Sequence, residues 1–208
     1  MKYLGSAVTG LTLASLMFSG SASAFGIGGA VGATGERWRY ESGVREDRYT
    51  GGLFFLFDTR LGGVSSLHYR LKMGTASSKP DGEGLRMTGT ASSHVFGYHL
   101  VRQEGYSLWL GPRLNLVSYQ QLHDGSSNEY EGSVMGIGLG PAGGIDLNFS
   151  KLTTLAVSAG VGAQRYYLDY RVTTADGNYR DTSRTKVNAT SLYLNMSLIF
   201  HLGKRKSP

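Results

Sequence analysis

The sequence of 208 residues contains no cysteine and only four prolines. Without cysteine the chain can form no disulfide bond, and it has no site for the cysteine-linked lipid of a lipoprotein. After residue 24 it has no run of 18 apolar residues, so we expect no membrane-spanning helix there. It does contain 31 glycines, 13 tyrosines and 8 phenylalanines, and its mean hydropathy is near neutral at −0.18. This composition is compatible with a membrane β-barrel, in which only alternate residues contact lipid.

The N-terminal segment has the layout of a secretory signal peptide. Lys2 is followed by an apolar run over residues 11–18 and then by the small-residue sequence Ala22-Ser23-Ala24. We therefore predict a signal peptide over residues 1–24, cleaved before Phe25, and export of the remaining chain through the periplasm. An uncleaved membrane anchor is the alternative that this pattern leaves open.

Apolar residues alternate with polar ones in much of the remaining chain. In "TSLYLNMSLIFHLG" every second residue from Leu192 to Leu202 is apolar, and most residues between them are polar. A period of two is typical of a β-strand with two different faces. We predict eight strands, over residues 25–40, 48–61, 63–75, 86–101, 105–121, 131–149, 152–173 and 188–202. In the first strand the alternation shifts before Trp38, which a β-bulge would explain.

The predicted connections alternate between short turns and longer polar loops. Those after the second, fourth and sixth strands are short, as in "LGGV" and "RQEG", whereas those after the odd-numbered strands are longer, as in "TTADGNYRDTSRTK". This layout is typical of an outer-membrane barrel with both ends on the periplasmic side. The sequence thus predicts an all-β fold, an eight-stranded antiparallel up-and-down barrel over residues 25–202, followed by a short basic periplasmic tail over residues 203–208.

Alternation by itself does not decide which face of the strands meets water. A soluble lipocalin-like barrel would turn the apolar face inward. Two features favour lipid: the strands are long enough to cross a bilayer at a tilt, and the polar face is rich in Gly, Ala and Ser. Aromatic residues near strand ends also suggest interfacial girdles. The girdle candidates are Tyr40, Tyr49, Tyr106, Tyr119, Phe149, Tyr166, Tyr167 and Phe200.

With its signal peptide, its opening "FGIGGAVGAT", its glycine-rich "GIGLGPAGGIDLNF" and its final "LYLNMSLIFHL", the chain resembles the small eight-stranded outer-membrane barrels of Gram-negative bacteria, the broad OmpA/OmpX/OmpW-like group. The resemblance implies insertion by the barrel-assembly machinery, which reads an aromatic residue in the last strand. Phe200 is the candidate, although His201, Leu202 and a basic tail follow it. These motifs identify an architecture and leave the activity open.

Several charged residues lie on the predicted inward face. They are Asp58, Arg60, His68, Arg70, Lys72, Arg113 and Asp146. Charges in a narrow lumen must be paired or hydrated, so we expect them to form a polar network. The interior of an eight-stranded barrel is just wide enough to be filled by side chains, so a large open pore is not expected. The alternative is a polar gate that passes small ions.

The sequence gives little support for a catalytic site or a metal site. Hydrolysis by a serine nucleophile needs a Ser, a His and an orienting acid brought together. The nearest candidate is Ser93-His94, but adjacent strand residues point to opposite faces, and so do His94 and His99. We predict no enzyme, no cofactor and no metal.

Basic residues also occur in or beside the predicted loops, mixed with acidic ones. Arginine matches the geometry of phosphate, so these residues are candidates for contacts with lipopolysaccharide. The set is Arg45, Arg48, Lys79, Arg180, Arg184 and Lys186. The net charge of +6 permits this interpretation, whereas no clustered basic and aromatic patch suggests nucleic acid.

The sequence therefore predicts a monomeric, non-enzymatic outer-membrane barrel with a closed polar interior. It would act in envelope integrity, through contacts of its surface loops with lipopolysaccharide or an external partner. The alternative is a narrow OmpW-like channel for ions or small apolar molecules.

Overall fold

The computed structural model describes residues 25–61, 66–123, 129–173 and 180–202. The predicted signal peptide and the predicted basic tail lie outside these ranges. Eight strands form the described part: β1 (Phe25–Tyr40), β2 (Arg45–Arg60), β3 (Leu67–Pro80), β4 (Arg86–Arg102), β5 (Tyr106–His123), β6 (Glu129–Asn148), β7 (Thr153–Thr173) and β8 (Arg180–Leu202). Within the described ranges no helix is long and apolar enough to cross a membrane.

The strands pair in sequence order, and the sheet closes on itself into a barrel. Closure occurs between β1 and β8, where Phe25 lies opposite Leu202. The chain therefore forms an antiparallel up-and-down barrel with no free strand edge, as predicted. We call the end with Phe25 and Leu202 the inner rim, and the opposite end the outer rim.

The apolar face of the strands points outward. In β8 the outward residues Leu192, Leu194 and Phe200 are 64%, 58% and 48% exposed, whereas their inward neighbours Tyr193 and Ile199 are buried. Exposing such side chains to water would be unfavourable, and a soluble barrel has the opposite arrangement. The fold is therefore that of a membrane-spanning barrel, as the sequence predicts.

The predicted bulge in β1 is wrong. The register of β1 is continuous with both β2 and β8, and its side chains alternate strictly along the strand. The shift before Trp38 arises because the large apolar side chains move from the outward face to the inward face, where Trp38 is 1% exposed. The register shifts observed are in the β4–β5 ladder and the β5–β6 ladder instead.

The predicted long loops are mostly paired strand. β2 begins at Arg45 and β8 begins at Arg180, so polar residues assigned to loops extend the β1–β2 and β7–β8 ladders. β8 has 23 residues, far more than the 9–11 or so that cross a bilayer. The β1–β2 connection is a tight turn over residues 41–44, in which Gly43 adopts φ +87°, a backbone conformation that favours glycine.

Three of the predicted girdle aromatics point into the barrel. Tyr119 and Tyr166 are fully buried, and Tyr40 contacts Trp38 at 6.2 Å between ring centroids. These three residues face inward because of their position in the strand alternation. The girdle prediction used only their closeness to a strand end, which does not determine the face. Four of the other candidates are exposed on the outer surface at 46% or more: Tyr49, Phe149, Tyr167 and Phe200.

Candidate functional site

The structure places all seven predicted lumen residues on the inward face of their strands. Asp58 and Arg60 come from β2, His68, Arg70 and Lys72 from β3, Arg113 from β5 and Asp146 from β6. Strand alternation explains this placement, because each of these residues is an even number of positions away from buried, inward residues of the same strand. The structure does not gather all seven into one site. They occupy different heights, and partners that the sequence did not reveal complete each group.

Arg70 is the centre of an ion-pair layer near the inner rim, formed with Asp58, Trp109 and Asp146. Its Nε donates to Asp58 Oδ1 at 2.9 Å, and its Nη2 donates to Asp146 Oδ2 at 3.1 Å. Trp109 Nε1 donates to Asp146 Oδ1 at 3.2 Å. Arg70 is 2% exposed, so its charge depends on both carboxylates. The layer joins β2, β3, β5 and β6 across the lumen.

His68 lies beside this layer without a hydrogen bond. Both of its ring nitrogens are buried and lack a partner among the described residues. The ring packs against His99 and Trp109, with centroids 4.6 Å and 5.1 Å away. A cavity of about 20 Å³ next to it is lined by residues that include Asp146 and His201. This volume suits one water molecule and no larger solute.

The middle of the lumen is basic. Arg113 lies over the ring of Tyr193 at 3.6 Å, and it donates to Ser93 Oγ at 2.8 Å and to Asn115 Oδ1 at 3.1 Å. Lys72 is 2% exposed, and it makes no ion pair with a carboxylate of the described residues. A buried lysine and a partly buried arginine therefore lie between the acidic groups of the two halves of the barrel.

Toward the outer rim the lumen is filled by an aromatic layer, formed by Glu36, Trp38, Tyr119 and Tyr166. Trp38 stacks on Tyr166 at 4.4 Å between centroids. Both rings donate to Glu36: Trp38 Nε1 to Oε2 at 2.8 Å, and Tyr166 OH to Oε1 at 2.7 Å. Apolar side chains close the space around them: Met87, Val134, Leu168 and Val187. Sequence reasoning missed this layer because the shift in β1 was taken for a bulge.

Arg48, a predicted lipopolysaccharide contact, is instead part of this layer. It is 1% exposed, its guanidinium lies 4.7 Å from the centre of the Trp38 ring, and it donates to Ser78 Oγ at 3.2 Å. It also bonds the Glu46 carboxylate and the carbonyl oxygen of Leu85. The prediction is wrong because Arg48 has the same parity in β2 as the inward residues Asp58 and Arg60, so strand alternation turns it inward.

The other basic candidates that the structure describes are at the outer rim. Arg45, Lys79, Arg184 and Lys186 are exposed, and the side chain of Arg180 lies outside the described part. Arg184 Nε pairs with Asp169 Oδ2 at 3.3 Å. Nearby, Arg37 Nε donates to Asp47 Oδ1 at 2.8 Å, and this hydrogen bond lowers the pKa of the Asp47 carboxyl.

The histidines whose side chains are described lie on both faces of the barrel, and His201 Nε2 is 2.8 Å from Thr154 Oγ1. His94 points outward and bonds the Tyr69 hydroxyl at 2.7 Å through Nδ1, whereas His99 points inward and bonds the backbone oxygen of Ser66 at 3.2 Å. Ser93 and His94 are on opposite faces, as expected. Among the described residues no group of three His, Cys, Asp or Glu side chains is placed to hold a metal ion.

No protein-family model matches the chain, and no curated protein matches its sequence significantly. Solved structures do resemble it. The crystal structure of the outer membrane protein OprG from Pseudomonas aeruginosa matches 89% of this chain and 98% of its own, at 10% identity and a TM-score of 0.50. The solid-state NMR structure of the outer membrane protein AlkL in DMPC bilayers matches 91% of this chain and 95% of its own, at 15% identity and a TM-score of 0.50. The chain thus has the fold of the small outer-membrane β-barrels.

Proposed function

We propose that the chain is an integral outer-membrane protein with a sealed lumen, which acts without catalysis in envelope integrity. In this role its outer rim contacts lipopolysaccharide, while the barrel itself passes no solute. The observation that carries the proposal is the filling of the lumen at two heights, by the ion-pair layer and by the aromatic layer.

The two layers support a scaffold because each is fixed from several strands. Arg70 is held by two carboxylates, and Glu36 accepts bonds from Trp38 and Tyr166. Opening a path for solute through the lumen would separate buried charges or leave buried hydrogen-bond donors without acceptors. Both changes are unfavourable. The exposed basic residues of the outer rim offer the sites for phosphate.

A deletion strain tests this function. Cells that lack the gene should become more sensitive to detergents, and expression of the wild-type chain should restore resistance. Variants in which exposed rim cations are replaced, such as Arg45→Ala with Lys79→Ala, should restore less. Equal resistance of the deletion strain and its parent would contradict the proposal, and so would full restoration by the rim variant.

The second candidate function is a narrow channel for small anions. It is favoured by two basic side chains in the middle of the lumen, the buried Lys72 and the partly buried Arg113, of which Lys72 has no carboxylate partner among the described residues. A channel of this kind should prefer anions, and Arg113→Ala should reduce that preference. If the barrel is a closed scaffold, neither the wild-type chain nor Arg113→Ala shows any conductance.

A further inference from the structure

The outer surface of the barrel is not uniform around its circumference. A groove of about 710 Å³ lies just below the outer rim across β6, β7, β8, β1 and β2, and the exposed Arg37–Asp47 ion pair lines its β1–β2 end. Its outward-facing floor consists of the small residues Gly35, Ala163 and Thr190, which lie on three adjacent strands in neighbouring register. Larger apolar side chains flank it, including Leu139, Val161 and Leu192. Because this face meets lipid, the groove has the shape and polarity to take an acyl chain.

A second, separate groove lies on the same strand, nearer the middle of the barrel. It has about 520 Å³ and lies along β1, where Gly29 and Val31 are flanked by Leu53 of β2 and Met196 of β8. From Gly35 to Gly29 is six residues of strand, or about 20 Å. Two depressions therefore lie along one strand, one below the outer rim and one deeper in the membrane, with the small outward residue Ala33 between them.

A row of arginines stands directly above the upper groove. Arg45 of β2 lies opposite Arg39 of β1, Arg39 lies opposite Asn188 of β8, and Asn188 lies opposite Arg165 of β7. We call Arg45, Arg39 and Arg165 the arginine row. All three side chains are exposed, and Arg165 Nε donates to Asn188 Oδ1 at 3.0 Å. Along the strands, Arg39 lies four residues beyond the groove residue Gly35, and Arg165 lies two residues beyond Ala163.

The arginine row lacks compensating acids. The described part contains no ion pair to Arg39, Arg45 or Arg165, and the neighbouring Asp47 is already bonded to Arg37. Like charges directly opposite one another in a sheet, as Arg39 and Arg45 are, destabilise it. A bound anion would remove this repulsion, and arginine is suited to phosphate because its planar fork can donate two parallel hydrogen bonds.

We infer that this face binds one molecule of lipid A, the phosphorylated glycolipid of lipopolysaccharide. One of its acyl chains lies in the grooves and its phosphates contact the arginine row. Three interstrand steps separate β2 from β7, so the row spans about 14 Å, which suits a headgroup with two phosphates better than the single phosphate of a phospholipid. The inference rests on the proposed function, and it confines the rim contact to one side of the barrel.

The test uses the full chain purified from the outer membrane, exchanged into phosphatidylcholine nanodiscs and titrated with lipid A. Bound lipid is counted by native mass spectrometry. Arg39→Ala with Arg165→Ala should weaken binding about tenfold, the equivalent of one lost charged hydrogen bond. Gly35→Leu should do the same by filling the groove, because a Cβ at Gly35 meets nothing within 4 Å and leaves the fold intact.

Matched controls remove equal charge or add equal bulk elsewhere. Arg86→Ala with Lys151→Ala acts on exposed positions of β4 and of the β6–β7 turn, away from the arginine row, and Thr90→Leu adds an exposed outward leucine on β4. Both should leave the affinity within about twofold. Heat-modifiable gel mobility verifies that every variant is folded.

The test distinguishes failure of this lipid A site from failure of the proposed function. If a folded wild-type barrel binds no lipid A, the rim contact of the proposed function falls together with this site. If lipid A binds but the site and control variants weaken it equally, only the one-sided site is overturned, and a diffuse rim attraction remains. Equal affinity for phosphatidylglycerol would overturn the choice of lipid A as the occupant.

Discussion

Trp38 and Tyr166 stack at 4.4 Å between ring centroids, although β8 separates their strands, and both donate hydrogen bonds to Glu36. The carboxylate thus orients two of the rings that fill the outer half of the lumen. This relationship makes Glu36 a positioning residue for the aromatic layer, and the stability of the barrel should depend on it.

Replacement of Glu36 by leucine should destabilise the barrel by about 2 to 5 kcal/mol, because the buried donors Trp38 Nε1 and Gln164 Nε2 lose their acceptor. Tyr166 OH, in contrast, can still donate to Gln164 Oε1. The measurement is the urea midpoint of unfolding from lipid vesicles. Glu36→Gln keeps one acceptor oxygen and should lose less. Equal midpoints for the leucine and glutamine variants would show that these hydrogen bonds do not hold the layer together.

The ion-pair layer should be equally sensitive to loss of one partner. Asp146→Ala leaves the buried Arg70 with one carboxylate and should cost about 3 to 5 kcal/mol. Asp169→Ala breaks the exposed pair with Arg184, whose side chains are 58% and 80% exposed, and should cost at most about 1 kcal/mol. Urea unfolding of both variants provides the comparison, and similar losses would contradict the structural role of the Arg70 network.

Alternation in the sequence was sufficient to predict the strands and the side of the barrel on which each lumen charge lies. The first strand was predicted at residues 25–40 and is observed as Phe25–Tyr40. Arg70 and Asp146 were expected to face inward. In a strand with a period of two, once the apolar residues are assigned to the outward face, the residues between them must lie on the inward face. Their mutual contact could not be predicted, since it depends on which strands oppose one another across the lumen.

The outer rim was harder to predict because its large apolar side chains lie on the inward face, as Trp38 and Tyr166 do, whereas in the membrane they lie on the outward face. This reversal removes the single apolar face from which register and facing are inferred. Arg48, at the start of a predicted strand, was therefore taken for a contact with lipopolysaccharide, and Trp38 for a sign of a bulge. The same reversal hid the arginine row, whose members come together only through the β1–β2, β1–β8 and β7–β8 ladders.

Lys72 should contribute little to stability, in contrast to Arg113. Lys72→Met removes a buried charge that has no carboxylate partner in the described part of the barrel, and it should raise stability by about 1 kcal/mol. Arg113→Met loses the hydrogen bonds to Ser93 and Asn115 and should lower it. Opposite shifts of the urea midpoint are expected, and a loss in Lys72→Met as large as that in Arg113→Met would refute this assignment.

The two layers should act as independent seals. Trp38→Ala opens the aromatic layer and Trp109→Ala opens the ion-pair layer, yet each variant keeps the other layer. We expect both single variants to remain silent in a planar bilayer and the double variant to conduct. Conductance in either single variant would show that one layer alone closes the lumen.

Conductance of the wild-type barrel in a planar bilayer, measured after heat-modifiable mobility has shown that it is folded, tests the central claim most directly. A sealed lumen predicts a silent bilayer at every applied voltage. Discrete, reproducible openings whose size or ion selectivity changes in Arg113→Ala would contradict it and would establish the narrow channel instead.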